Sequence, residues 1–183
     1  MEYADRFVPK KKVLQEGKWR APNPDELKIN IDGAFVPGSN FGGWGAVVRD
    51  SEGQVIAARA GRQEQTTDAF GAEVQAMAGA VALAADIGAV RITFETDSQL
   101  LAEALDVHKT DSSPYAVILE DIKLQLKLWF AKHSVRACRS ENHVAHELGQ
   151  IGRMCLPDIC MHWENDVPPL VAARVLGDLP AHR

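Results

Sequence analysis

Three acidic residues stand where predicted strands end or a predicted helix begins, and carboxylates in such places can bind a cation. Asp32 follows the apolar, β-prone run that opens KINIDGAF, and Asp97 closes the alternating stretch RITFETD. Glu73 lies near the start of an alanine-rich helical stretch, and no lysine or arginine occurs from residue 63 to residue 90 to pair with it locally. These three carboxylates are therefore candidate ligands for a cation.

The three carboxylates form a metal site only if the fold brings them together. If the strands that carry Asp32 and Asp97 are adjacent and parallel, both side chains lie at the edge where open α/β sheets usually place their sites. A cluster of oxygen ligands that repel one another favours a hard cation such as Mg²⁺ or Mn²⁺. The alternatives are structural. Asp-Gly is a common turn sequence, so Asp32 and Gly33 could simply end the strand. A negative charge near a helix N-terminus is stabilising, so Glu73 could simply be an exposed residue.

The composition is typical of one globular domain with some additional sequence. The chain has 183 residues, of which 46% are hydrophobic and 25% are charged. No stretch of about 18 apolar residues occurs, so we expect no membrane span, and the first residues lack the apolar run of a secretory signal. Three cysteines, an odd number, favour a reducing compartment, so we expect the protein in the cytoplasm or nucleus.

The net charge of −5 argues against tight, unselective binding to nucleic-acid duplexes. Proteins that bind duplexes tightly and without selectivity usually carry a basic surplus or a basic face. The only basic run, KKK at residues 10–12, is either a solvated tail or a targeting or phosphate-contact segment. We therefore expect any binding to nucleic acid to be weak.

The pattern of hydrophobic residues predicts a mixed α/β domain. The predicted order is β-β-β-α-β-α-α-β-α, with strands at 27–34, 42–50, 54–62, 91–97 and 133–140 and helices at about 67–88, 98–106, 113–132 and 142–154. An antiparallel meander followed by alternating strands and helices indicates a mixed sheet with helices on both faces. Residues 1–24 are predicted to form an N-terminal arm, 25–155 the domain and 156–183 a C-terminal extension of low periodicity.

Five motifs in order resemble the RNase H domain. They are KINIDGAF, GGWGAVVRD with EGQVIAA, AEVQAMAGAVALA, FETDSQLL and ENHVAHELG. More narrowly, the chain resembles the plant type 1 RNase H-like domains related to the reverse-transcriptase-associated type, over roughly residues 19–170. This resemblance implies a five-stranded sheet in the order 3-2-1-4-5, in which strands 1–3 are antiparallel and strands 4 and 5 are parallel to strand 1.

The resemblance also implies a catalytic site. In that family, a D-E-D-D set of carboxylates binds two metal ions and hydrolyses the RNA strand of an RNA–DNA hybrid. Asp32, Glu73 and Asp97 match the first three positions and are implied as catalytic residues and metal ligands. The fourth position, four residues after Asn142, is His146. Imidazole is a poorer ligand for Mg²⁺ than a carboxylate, and it removes one negative charge. The loop before this last helix is also short.

Two functions follow as expectations. The first is a nucleic-acid-binding protein of RNase H type, an endonuclease that cleaves the RNA strand of RNA–DNA hybrids with Mg²⁺ or Mn²⁺. The second is a non-catalytic RNase H-like module that binds a protein or RNA partner. The intact Asp32, Glu73 and Asp97 favour the enzyme, whereas the acidic net charge, His146 and the short loop favour the module.

Overall fold

Six strands form one mixed sheet within residues 19–138 and 142–179, the part of the chain that the computed structural model describes. The strands are β1 (Leu27–Phe35), β2 (Phe41–Arg49), β3 (Val55–Glu64), β4 (Arg91–Thr96), β5 (Lys132–Ala137) and β6 (Cys160–Glu164). Their order across the sheet is β5-β4-β1-β2-β3-β6. Strands β1, β2 and β3 are antiparallel, and β4 and β5 run parallel to β1, which confirms the predicted order of the first five strands.

Helices cover both faces of this sheet. They are α1 (Ala69–Asp86), α2 (Gln99–Ala104), α3 (Ala116–Trp129), α4 (His143–Arg153) and α5 (Pro169–Asp178). Helices α1, α2 and α3 contribute to one hydrophobic core, and α4 and α5 contribute to a second core on the opposite face. None of the helices in the described part of the chain has both the length and the apolar character needed to cross a bilayer.

The side chains of β1 point alternately to the two faces of the sheet. Ile29 and Ile31 are fully buried in the core against α1. Asn30 and Asp32 point to the opposite face, because successive side chains of a strand alternate. That face lies under α4, so the only carboxylate of β1 is directed toward this helix rather than into the apolar core.

Glycines let α4 lie directly on the sheet. A Cβ at Gly45 of β2 would lie 2.4 Å from the backbone nitrogen of Gly149 in α4. A Cβ at Gly152 would lie 2.5 Å from the carbonyl oxygen of Gly61 in β3. Side-chain atoms cannot occupy these positions, so helix and sheet backbones touch. This close approach sets the height of α4 above the sheet and therefore the position of the residues that α4 carries.

The prediction of five strands and an unpatterned C-terminal segment is wrong. Residues 160–164 form β6, which pairs antiparallel with β3, and residues 169–178 form α5. Strand β6 is short and mostly exposed, so it shows no alternation of burial. Helix α5 carries a signal that was missed, since Val171 and Val175, four residues apart, are both buried. The predicted division of the chain at residue 155 stays a prediction.

The last residues of the predicted N-terminal arm pack against the sheet. Trp19 is only 6% exposed, and its indole Nε1 donates a hydrogen bond to Oδ1 of Asn30 at 3.0 Å. The guanidinium of Arg49 stacks over the Trp19 ring at 4.0 Å. The end of the arm therefore belongs to the packed structure. The basic run at residues 10–12 and the last residues of the predicted strand 133–140 lie outside the described residues.

Candidate metal centre

The register of β1 and β4 brings Asp32 and Asp97 together. The two strands are parallel neighbours, with Ile31 paired to Thr96. Asp32 and Asp97 each follow one of these paired residues, so they lie side by side at the C-terminal edge of the sheet. The expectation that both aspartates share one edge is confirmed. Asp32 and Gly33 both lie inside β1, so the alternative in which they form a turn is wrong.

Glu73 reaches the same edge from α1. The helix begins after Asp68, whose Oδ1 accepts a hydrogen bond from the backbone nitrogen of Gly71 at 2.7 Å. It then passes very close to β1, because a Cβ at Gly33 would lie 2.5 Å from the carbonyl carbon of Ala72. The backbone nitrogen of Gly33 donates to Oε1 of Glu73 at 3.3 Å. Glu73 is half-buried and points at the sheet edge, so the exposed alternative for this residue is wrong.

The three carboxylates converge. One carboxylate oxygen each from Asp32, Glu73 and Asp97 lies within 4.8 Å of the other two. Burial, followed by the charge of Asp97, raises the pKa of Asp32 from 3.8 to about 6 although His146 opposes the shift. Burial, followed by the charges of Asp32 and Asp97, raises the pKa of Glu73 from 4.5 to about 8. These shifts show that the fold holds negative charges close together at a cost that a cation would relieve.

His146 joins the cluster from α4. Nδ1 of its imidazole lies 3.0 Å from Oδ2 of Asp32, while the side chain is 60% exposed. The helix is anchored at its first turn by Asn142, whose Nδ2 donates to the carbonyl oxygen of Ile31 at 2.7 Å. Gly149, one turn further along, leaves room for Asp32, because a Cβ there would lie 3.3 Å from Oδ2. The structure thus brings all four predicted site residues together.

Nearby acidic residues do not replace the missing fourth carboxylate within the described part of the chain. Glu147 follows His146 directly, but its Oε1 accepts from Nε of Arg174 at 2.8 Å, on the side of α4 that faces α5. Glu141 lies outside the described residues. Among the described residues, only the imidazole of His146 therefore occupies the fourth position of the cluster.

Sequence reasoning missed a threonine that holds the cluster in shape. The hydroxyl of Thr96 donates to Oε2 of Glu73 at 3.3 Å and accepts from the backbone nitrogen of Ser98 at 3.1 Å. Thr96 is fully buried, so its hydroxyl is fixed between the two groups. The signal was present in the sequence as the threonine before Asp97, but the alternating pattern of this strand gave no reason to assign a role to that residue.

The donor set fits a hard divalent cation. Its members are carboxylate oxygens, which Mg²⁺ and Mn²⁺ prefer, and the imidazole at the rim is a ligand that Mn²⁺ accepts more readily than Mg²⁺ does. A cavity of about 310 Å³ opens beside Glu73 and Asp97, between the start of α1 and the start of α2. Phe70 and Leu100 are among the residues that line it. The carboxylates are therefore accessible from solvent on this side.

Solved structures with the same fold are RNase H domains. The N-terminal RNase H domain of a Mycobacterium tuberculosis protein matches with a TM-score of 0.61 at 22% identity, over 70% of this chain and 94% of that domain. RNase H1 from Halobacterium salinarum matches with a TM-score of 0.61 at 23% identity, over 69% and 96%. LC11-RNase H1, crystallised in complex with an RNA/DNA hybrid, matches with a TM-score of 0.64 at 18% identity, over 70% and 96%.

Sequence comparison assigns the family. A search of curated proteins gave no match. The model of the reverse transcriptase-like family matches residues 30–152, a span that includes Asp32, Glu73, Asp97 and His146. At 18–23% identity the solved structures establish the fold alone, and that fold is the one expected from the sequence motifs. The chain belongs to the reverse transcriptase-like family and has an RNase H-like fold.

Proposed function

We propose that this protein is a divalent-metal-dependent endonuclease that cleaves the RNA strand of RNA–DNA hybrids. The observation that carries the proposal is the convergence of Asp32, Glu73 and Asp97 within 4.8 Å at one edge of an RNase H-like sheet. Hydrolysis of a phosphodiester needs positive charge near the phosphate, and a cluster of carboxylates that can bind hard cations supplies the place for it. Mg²⁺ or Mn²⁺ is the proposed cofactor.

Each carboxylate contributes in a way that follows from its position. Asp32 is the most enclosed of the three and lies between Asp97 and His146, so it is the residue through which the whole cluster is connected. Glu73 is held on both oxygens, by the Gly33 amide and the Thr96 hydroxyl. A divalent cation bound by these carboxylates supplies Lewis-acid stabilisation of charge at the phosphate during hydrolysis.

Protonation controls whether the cluster can bind a cation. The raised pKa of Glu73, about 8, means that this carboxyl holds a proton at neutral pH while the cluster binds no cation. A bound cation must displace that proton, because metal ligands have to be deprotonated. Cation affinity should therefore rise with pH up to about 8.

RNA–DNA hybrid is the proposed substrate, and its binding is proposed to be weak. The RNase H-like fold and the hybrid found in the complex of LC11-RNase H1 support this choice. The net charge of −5 supports a binding mode with only a small number of phosphate contacts, so few counterions would be released and affinity would depend on those contacts and on the cation. A reducing compartment, cytoplasm or nucleus, is the proposed location.

A second function is favoured by one observation. His146 occupies the position where a fourth carboxylate would complete the ligand set, and it contacts Asp32 directly. A site with three carboxylates binds Mg²⁺ more weakly than a site with four. The alternative proposal is therefore a non-catalytic RNase H-like module that binds RNA or a protein partner.

A cleavage assay separates the two functions. A labelled RNA–DNA hybrid is incubated with the purified chain in Mg²⁺, in Mn²⁺ and in EDTA, and the matching RNA–RNA and DNA–DNA duplexes serve as substrate controls. We expect cleavage of the RNA strand only, in the presence of a metal ion. Asp32→Asn should reduce it at least ~100-fold, because it weakens the residue that connects the cluster. Asp86→Asn, at an exposed carboxylate far from the cluster, should leave it unchanged. Background cleavage in both metals would favour the binding module.

A further inference from the structure

Helix α3 has two apolar sides. Leu119, Ile122 and Leu126 are buried in the core shared with α1. On the opposite side Val117 is 83% exposed, Leu124 is 53% exposed and Leu128 is 68% exposed. These three residues are spaced by seven and four positions, so they lie on one side of the helix, with Glu120 and Asp121 in the turn between Val117 and Leu124. We call Val117, Leu124 and Leu128 the α3 stripe.

The α3 stripe is larger than the scattered apolar residues of an ordinary surface. Three exposed aliphatic side chains aligned on one side of a helix, with acidic residues at 120 and 121 between the first and the second, are more than a single apolar residue on a surface. The rest of the described chain leaves these side chains exposed to solvent. The strip is straight and narrow, and this shape matches the surface of another helix rather than a flat or concave partner.

Charged and polar residues border the α3 stripe in a pattern that can recognise itself. On one flank Glu120 lies toward the N-terminal half of the helix and Lys127 lies toward the C-terminal half, and both are exposed. On the other flank Nε2 of Gln125 donates to Oδ2 of Asp121 at 2.7 Å. The helix therefore carries Glu120 early and Lys127 late on the same flank, and between them Nζ of Lys123 donates to Oε1 of Glu120 at 2.8 Å.

We propose that the α3 stripe is the interface of a homodimer in which α3 packs antiparallel on α3 of a second copy. In a two-fold antiparallel pair of helices each flank faces the same flank of the partner, with opposite direction. An axis near residue 123 places Leu124 beside its own copy and Val117 beside Leu128 of the second copy. The same axis places Glu120 beside Lys127 of the second copy.

One axis satisfies all these pairs. The midpoints of the Val117–Leu128, Glu120–Lys127 and Asp121–Gln125 pairs fall within about one residue of position 123, or about 2 Å along the helix. A parallel two-fold arrangement would instead bring opposite flanks together and place Glu120 beside Asp121 of the second copy, an unfavourable pair of like charges. Charge complementarity thus selects both the second copy as the partner and the antiparallel direction.

The proposed dimer leaves the carboxylate cluster accessible. The buried side of α3 packs in the core on the α1 face of the sheet, and its outer side points away from the sheet. None of the residues of the α3 stripe or its flanks lines the cavity beside Glu73 and Asp97. The dimer does not depend on the proposed nuclease function, and each copy keeps its own site.

The oligomeric state tests the proposal. The full chain is studied by sedimentation velocity from about 1 µM to about 1 mM, since a single pair of helices buries less than the roughly 1,200 Å² of a standard interface and should dissociate at roughly 10–100 µM. Leu124→Asp should weaken association at least ~tenfold. Leu170→Asp is the matched control, because Leu170 is 77% exposed on α5, and it should dimerise as the wild type does. A wild type that stays monomeric, or a Leu124→Asp variant that dimerises normally, would overturn the proposal.

A charge-exchange experiment tests the antiparallel direction. Glu120→Lys and Lys127→Glu each place like charges opposite one another and should each weaken dimerisation ~3- to 10-fold. The double variant, with both changes in every chain, restores opposite charges across the interface and should recover the wild-type dissociation constant. Circular dichroism checks that the helix content of each variant is unchanged. A double variant that associates no better than the single variants would overturn the proposal.

Discussion

At the residue scale, the carboxylates of the cluster differ in how strongly they hold a proton. Glu73, with a pKa of about 8, is half-buried and faces two aspartates, whereas Asp32, with a pKa of about 6, has the imidazole of His146 beside it. Like charges in a partly buried site cannot all be ionised without cost. Without a bound cation, the carboxyl of Glu73 therefore keeps its proton to a higher pH than that of Asp32.

This proton makes the stability of the protein depend on pH. The pKa of Glu73 is raised in the folded state, so its contribution is fully present below about 4.5 and is lost as the pH rises through about 8. We expect Glu73→Gln to remove this loss and to raise the free energy of unfolding at pH 8, in EDTA, by about 2–4 kcal/mol relative to wild type, with little change at pH 4.

Urea denaturation at a series of pH values measures this effect. Glu103→Gln, at an exposed glutamate of α2, is the matched control and should follow the wild-type curve. Added Mg²⁺ or Mn²⁺ should stabilise the wild type at pH 8 more than the Glu73→Gln variant, since the variant lacks a ligand. Equal loss of stability with pH in wild type and Glu73→Gln would show that Glu73 is not the residue that holds the proton.

Replacing His146 with aspartate should raise the rate of hybrid cleavage, whereas Asp32→Asn should lower it. His146→Asp supplies a carboxylate 3.0 Å or a little more from Asp32, in place of the imidazole nitrogen that lies there now. Because Mg²⁺ prefers oxygen ligands, the variant should cleave a hybrid at least ~tenfold faster in Mg²⁺, with a smaller gain in Mn²⁺. His162→Asp, on the distant strand β6, is the control and should not change the rate. No gain in either metal would mean that the fourth ligand is not what limits this site.

At the element scale, the position of His146 depends on contact between backbones. Helix α4 touches β2 and β3 at glycines, and a glycine at position 149 leaves space for the Asp32 carboxylate. The spacing between helix and sheet is set by the absence of side chains at Gly43 and Gly45 of β2 and at Gly152 of α4. In a close-packed interior, a single added methyl group forces a shift of the helix or of the strands.

Gly45→Ala tests this packing. The new Cβ would lie 2.4 Å from atoms of Leu148 and from the backbone nitrogen of Gly149, which cannot move without α4. We expect the free energy of unfolding to fall by about 2–3 kcal/mol. Gly177→Ala on α5 is the matched control, because no heavy atom lies within 4 Å of its added Cβ, and it should be neutral or slightly stabilising. Similar stability of Gly45→Ala and wild type would show that α4 does not rest on this glycine.

At the scale of the whole molecule, local patterns predicted the position of the acidic cluster better than they predicted the C-terminal elements of the sheet and its helices. Asp32 could be placed because it lies near the end of a clearly patterned strand and Asp97 because it follows another, and parallel pairing then sets them side by side. The contact of His146 with Asp32 needed the family resemblance, since 114 residues separate them. The role of β6 could not be predicted, because its partner β3 lies far away in sequence, whereas α5 carried a short signal in Val171 and Val175 that was missed.

A buried ion pair shows how the C-terminal helix is attached. Arg49, at the end of β2, is completely buried, and its Nη1 donates to Oδ2 of Asp178 at 2.7 Å. Asp178 is the last residue of α5. The pair joins residues 129 positions apart, so it forms only when the C-terminal segment has packed on the sheet. A buried guanidinium is costly without a carboxylate beside it.

Asp178→Asn therefore tests whether residues 156–179 belong to the domain. The change keeps the shape of the side chain but removes the charge beside Arg49, and we expect the free energy of unfolding to fall by about 2–3 kcal/mol. The matched control is Asp86→Asn, which removes the charge from an exposed pair with Arg59 at a similar distance, 2.8 Å, and should cost less than about 0.5 kcal/mol. If Asp178→Asn costs no more than the control, α5 is an extension that the domain does not need. If the whole chain instead unfolds in one transition at lower urea, the sheet of six strands and both its helical layers form a single cooperative unit.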